Sequence, residues 1–141
     1  MNYTVLIGRI VFSILFIMSG PNHLSGEGVE MAVQSGVPLA SVAVPLSGLI
    51  SLLGGVSIAF GYKAKLGAWV IVMFLLPVTI TMHNFWSAAD PHIALIQQIM
   101  FMKNLTIIGA ALLIASFGSG PLSLDSKLKN KSAKIREVTA Y

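Results

Sequence analysis

Four apolar runs, at about 3–20, 40–60, 66–83 and 96–117, occupy most of this chain. Each is close to the roughly 20 residues that an α-helix needs to cross a bilayer. Lipid offers no partner to an exposed peptide group, so a run of this length in a membrane must satisfy its backbone internally, as a helix. Charge is correspondingly scarce: 10% of the residues are charged, against about 25% in soluble domains. The expected fold is therefore all-α, a four-helix transmembrane bundle over residues 1–120, with a basic tail at 121–141. The first run has no basic segment before it and no small-residue cleavage site after it. It is expected to remain as a span, not to be removed as a signal peptide.

The sign of the few charges sets a direction. Lys63 and Lys65 lie in the second connection, and Lys127, Lys129, Lys131, Lys134 and Arg136 lie in the tail. Glu27, Glu30 and Asp90 lie in the other two connections. With four spans the two basic segments share one side, so the positive-inside rule places both termini in the cytoplasm. The net charge of +4 is thus a topology signal; no basic patch is interleaved with aromatics, and no nucleic-acid partner is expected. The tail is polar enough to be solvated or to lie on the membrane surface.

Several chemistries are excluded. The chain has no cysteine, which removes disulfides, thiolate catalysis and iron–sulfur ligation. No paired carboxylates, phosphate loop, nucleophile–base set or metal-ligand cluster is present, so self-contained hydrolysis and a metal centre are not expected. Any redox role requires a bound cofactor or a partner.

Winding each span at 100° per residue sorts its faces. Gly8, Arg9, Phe12, Ser13, Phe16, Ser19 and Gly20 share an inward arc of the first span, opposite Ile7, Ile10, Val11, Ile14, Leu15, Ile17 and Met18. Ser47, Ser51 and Gly55, with Gly48 and Gly54, form a small-residue stripe on the second, suited to close helix approach. Pro77 marks a kink in the third, with Thr79, His83 and Trp86 on one side. In the fourth, Gln97, Met100, Lys103, Asn104, Ile107, Ala110 and Ala111 fall on one arc and Phe101, Leu105, Ile108 and Leu112 outside it. Lys103 is thereby expected inside the bundle, at a cost of about 2.5–3.5 kcal/mol for a charge at a helix centre.

His23, His83, Trp86, Gln98, Lys103 and Asn104 converge at one level, the outer third of the membrane, and form the candidate ligand site for a polar headgroup. Gln97 opens the same helix and, with Arg9 and Ser13, is assigned a structural polar role; Arg9 sits deeper, on the inner half of the first span. The aromatic residues and the seven methionines also fit plain interface and core positions.

Two segments, "GRIVFSILFIMSG" and "FMKNLTIIGAALLIASFGSGPLSLD", resemble the DoxX family of small membrane proteins. The resemblance rests on Gly8, Arg9, Ser19 and Gly20 in the first segment. In the second it rests on Phe101, Lys103, Asn104, Gly109, Gly118, Gly120, Pro121, Ser123 and Asp125. It implies four transmembrane helices in a bacterial-type cytoplasmic (inner) membrane. It also implies similarity to the membrane subunits of thiosulfate:quinone oxidoreductases, hence a quinone ligand and soluble redox or sulfur-transfer partners. In that picture Lys103 and His83 donate to a carbonyl, Asn104 and Gln98 orient it, and Phe101 or Trp86 packs the ring. One departure is His23 in "SGPNHLSG", where many members carry lysine. The competing expectation is a non-catalytic scaffold or lipid-binding protein whose partners dock on the loops or the basic tail, with membrane lipids and a second copy of the chain among the expected partners. A reporter fused within residues 84–95 should read as external; an internal reading would reverse the topology.

Overall fold

The computed structural model describes residues 2–139, and among these every regular element is helical. They are α1 (Asn2–Leu24), α2 (Val29–Gln34), α3 (Ala40–Phe60), α4 (Ala64–Met82), a 3₁₀ turn (Phe85–Ser87), α5 (Pro91–Phe117) and α6 (Leu124–Val138). α1, α3, α4 and α5 are each long and apolar enough to span a membrane. The boundaries follow local chemistry. Asp90 caps α5, accepting from the His92 N–H at 2.7 Å and the Ile93 N–H at 3.3 Å, and Pro91 fills the first helical position where no donor is needed. α3 stops at Gly61, whose φ of +65° suits glycine. There the Tyr62 N–H returns to the Ser57 carbonyl and the Gly61 N–H to Ile58, the paired bonds of a Schellman end.

The helices pack as neighbours along the chain, α1 on α3, α3 on α4 and α4 on α5. Small residues set the first of these interfaces. A Cβ added at Gly48 would lie 2.6 Å from the Gly20 carbonyl and 2.7 Å from the Leu24 nitrogen, and one at Gly55 would lie 3.0 Å from the Phe16 Cβ. Lipid supplies no hydrophobic drive between helices, so this backbone approach is what holds α1 to α3. The core is a thin seam of Phe16, Ile58, Ala68, Ile71, Val72, Leu75, Ile108, Ala111 and Ala115. On α1 the expected arc is buried or half-buried except for Gly8, and its apolar opposite face is exposed, apart from a half-buried Ile17, as lipid contact requires.

The inward face of α5 differs from the sequence expectation. Gln97, Phe101, Asn104, Ile108, Ala111 and Ala115 line the seam at alternating spacings of four and three, while Lys103 and Gln98 are exposed. The reason is geometric. α5 packs chiefly on α4 and buries a narrow stripe with a mean period near 3.5 residues, the coiled-coil seam. Lys103 lies one residue, about 100°, away from Asn104 on the helix wheel and falls outside that stripe. Lys103 therefore faces outward and not into the bundle, so the cost of a charge within a span is not offset by partners inside the protein.

If Gly48 sets the α1–α3 distance, Gly48→Ala should destabilise the detergent-solubilised protein by about 1–3 kcal/mol, the usual cost of overpacking. Gly8→Ala, where nothing lies within 4 Å of the added carbon, should not lower the melting temperature. Equal melting curves for the two variants would contradict the packing described.

Candidate functional site

Polar side chains gather at both ends of the bundle, and the two gatherings differ in kind. At the end where α4 passes to α5, the His83 ring Nδ1 lies 2.8 Å from the Gln97 Oε1. Beside this pair three rings meet edge to face: Phe85 and Trp86 with centroids 5.2 Å apart, Phe85 and Phe101 at 5.5 Å, Trp86 and Phe101 at 5.9 Å. The 3₁₀ turn presents Phe85 and Trp86 to Phe101 because the connection from Met82 to Pro91 is short. Trp86 remains 59% exposed, whereas Asn104 is buried at 6% and its amide makes no hydrogen bond among the described residues.

The six residues expected to act together are thus divided. His83, Trp86 and Asn104 sit on the α4–α5 side with Gln97, which joins them as a direct partner of His83. His23 is held elsewhere, with its Nδ1 3.1 Å from the Ser47 hydroxyl across α1 and α3. Gln98 and Lys103 are exposed on α5 and take part in no hydrogen bond among the described residues. The pairs 83 with 97 and 65 with 116 set the antiparallel register of α4 and α5. Lys103 then lies six residues, about 9 Å, along α5 from Gln97, level with Pro77 and on the outside of the helix pair.

The opposite end holds the denser network. Arg9 is 3% exposed, and its guanidinium donates to three carbonyls: those of Ser119, Leu122 at 2.8 Å and Ala59 at 3.5 Å. A planar five-donor fork can reach several acceptors at once, as an ammonium cannot. Ser13, also buried, closes onto the Arg9 carbonyl at 2.7 Å. Gly61 allows the approach: a Cβ there would lie 2.6 Å from the Arg9 Nη1 and 2.5 Å from the Ser123 Cβ.

Asp125 completes this end. Lys63, at the start of α4, has φ +50° and offers no capping side chain, so the first N–H groups of α4 need an external acceptor. The Asp125 carboxylate supplies it, accepting from the Lys63 N–H at 2.9 Å, the Ala64 N–H at 3.4 Å and the Ser119 hydroxyl at 3.1 Å. The Asp125 N–H donates in turn to the Gly61 carbonyl at 2.9 Å. A carboxylate at a helix N-terminus also meets the positive end of the helix dipole, and Asp125 attracts the Arg9 guanidinium through space. Lys65 ties α4 to the end of α5 through the Ser116 carbonyl at 2.8 Å. Ser123 caps α6, accepting from the Ser126 N–H at 3.1 Å.

The segment "GSGPLSLD" is therefore a clasp that closes on Arg9 and on the start of α4. Sequence reasoning gave Asp125 no role, although one signal was available. "GYKAK" opens a helix without Ser, Thr, Asp or Asn ahead of it, so its cap had to come from elsewhere.

A polytopic four-helix membrane protein, with a carbonyl-bound arginine at one end and an aromatic–imidazole cluster at the other, is the class these features define. The chain belongs to the DoxX family, whose family model matches residues 4–84. It is 32% identical over 127 residues to the inner membrane protein YqjF of Escherichia coli (strain K12), covering 90% of this chain and 93% of that one. To the inner membrane protein YphA of the same organism it is 27% identical over 125 residues, covering 87% and 89%. The ER-derived vesicles protein ERV29 of Saccharomyces cerevisiae is 32% identical over 81 residues, 57% of this chain and 26% of that protein. No solved structure matches the chain. It is a multi-pass protein of the inner membrane.

Replacing Asp125 by alanine should remove the cap of α4 and cost about 0.5–2 kcal/mol. Asp125→Asn, which keeps one oxygen acceptor, should cost less. Thermal melting followed by circular dichroism checks this order; an Asp125→Ala protein as stable as the wild type would leave the clasp without energetic weight.

Proposed function

We propose that this protein is the membrane subunit of a redox assembly and receives the flat, carbonyl-bearing head of a quinone at the α4–α5 end. The observation that carries the reading is the His83–Gln97 pair at 2.8 Å beside three edge-to-face rings. The residues present fit such a head. Aromatic edges and faces pack a flat ring, and Asn104, a largely buried residue, has an amide with no hydrogen bond among the described residues, free to meet a carbonyl. His83 brings two hydrogen-bonding modes. An amide can turn either its oxygen or its nitrogen to Nδ1, and the Nε2 becomes acceptor or donor accordingly. An acceptor suits the hydroxyl of a quinol and a donor suits the carbonyl of a quinone, so one side chain serves both forms. When bound, the quinone supplies the electron-carrying chemistry; the protein's residues orient it and shield it from water. Soluble redox or sulfur-transfer enzymes are the partners this role requires.

A second reading is favoured by Lys103. A lysine exposed among Ile99, Met102 and Leu105 on the lipid-facing side of a span suits contact with another protein, as in a non-catalytic scaffold.

The two readings separate in a Trp69→Phe background, where Trp86 is the remaining tryptophan. In lipid nanodiscs a short-chain quinone should quench Trp86. His83→Ala and Asn104→Leu should each weaken binding about tenfold, equivalent to ~1.4 kcal/mol, and Lys103→Met should bind as before. Unchanged affinity in His83→Ala, or no saturable quenching at all, would end the quinone reading and leave the scaffold.

A further inference from the structure

A cleft of about 620 Å³ opens at the Arg9 end, distant from the quinone cluster. Leu6, Ile10 and Phe60 give it apolar walls, Arg9 lines it, and Tyr3 and Lys127 stand among its polar lining residues. We infer that it is a binding site for one anionic phospholipid, whose acyl chain lies along the apolar wall and whose phosphate meets Lys127.

Three observations support that occupant. First, the Arg9 Nε is buried and has no acceptor among the described residues, although the other guanidinium nitrogens are bonded. An unsatisfied buried donor is costly, and an ester or phosphate oxygen of an occupant relieves it. Second, the charged side chains that line the cleft, Arg9 and Lys127, are both basic, and the neighbouring Asp125 carboxylate is taken up by the Lys63 and Ala64 N–H groups and the Ser119 hydroxyl. Lys127 begins a run with Lys129, Lys131, Lys134 and Arg136 on α6, and juxtamembrane basic runs of this kind favour anionic lipid. Third, α6 leaves Leu124, Leu128 and Ile135 exposed at intervals of four and seven, an apolar stripe on an otherwise basic helix. Such a helix lies in the interface plane with its stripe toward the acyl chains. Lying there, α6 would hold Lys127 at headgroup level while Leu124 contributes to the cleft itself. A zwitterionic lipid fits the same apolar wall but gains nothing net from the basic rim, so the headgroup charge is the selective feature.

Native mass spectrometry of the full chain, released from detergent in the presence of phosphatidylglycerol, phosphatidylcholine or inorganic phosphate, tests this. The wild type should retain one phosphatidylglycerol at collision energies that strip phosphatidylcholine, and inorganic phosphate should not displace it. Lys127→Gln should weaken that retention at least fivefold, and Lys134→Gln, equal in charge change but outside the cleft, should not. Leu6→Trp, which fills the apolar wall, should remove the tight lipid even if Lys127→Gln perturbs α6. Equal loss in Lys127→Gln and Lys134→Gln would overturn the site in favour of diffuse surface attraction. Equal retention of phosphatidylcholine, or displacement by inorganic phosphate, would overturn the lipid assignment.

Discussion

The bundle depends on one buried cation bonded to backbone oxygen. Arg9 enters from α1 and accounts for carbonyls at the end of α3 and in the turn after α5. A helix that ends inside or beside lipid leaves carbonyls without partners, each costing several kcal/mol if unmet. A guanidinium needs acceptors for the same reason. Each deficit offsets the other, and the chain ends that would fray are drawn together instead. The carboxylate of Asp125 repeats the logic with opposite sign on the exposed N–H groups of α4. Two charged side chains therefore close three helix ends and fix the exit of α6.

This division of labour explains why the two ends of the molecule look different. At the clasp, polar groups other than the Arg9 Nε find partners within the described residues, and the glycines there admit close approach of Arg9, Ser123 and Val5. At the α4–α5 end, hydrogen-bonding capacity is left over: the second nitrogen of His83, the amide of Asn104, the exposed edge of Trp86. Residues 4–84, which match the family model, contain Arg9 and His83 but not Asp125 or Asn104, so each end is built partly from outside that match.

Much of this was legible in the chain itself. The four spans follow from apolar length, and α3 coincides with the expected 40–60 because it is bounded by loop residues at both ends. Arg9 and Ser13 fall on the inward arc of α1 as the helix wheel places them. Lys103 does not, because polarity is a poor guide to direction on a helix whose packed seam is narrow. The wheel grouped Lys103 with Asn104, and the two are a hundred degrees apart where the seam tolerates little more. His23 was grouped with α4 and α5 residues but pairs with Ser47, a contact that depends on how closely Gly20 and Gly48 let α1 and α3 approach. Asp125 was hidden for a different reason: a cap supplied from 62 residues away leaves no local pattern.

Hydrogen exchange read by mass spectrometry tests the clasp most directly, in the wild type and in Arg9→Gln. If Arg9 holds the end of the bundle together, amides of Lys63, Ala64 and Asp125 should exchange roughly ten to a hundred times faster in the variant, equivalent to ~1.4–2.8 kcal/mol of local opening. The His92 and Ile93 amides, capped by Asp90 at the other end, should keep their rates. Unchanged exchange at residues 61–64 and 119–125 would contradict the account, and so would equal acceleration at both ends.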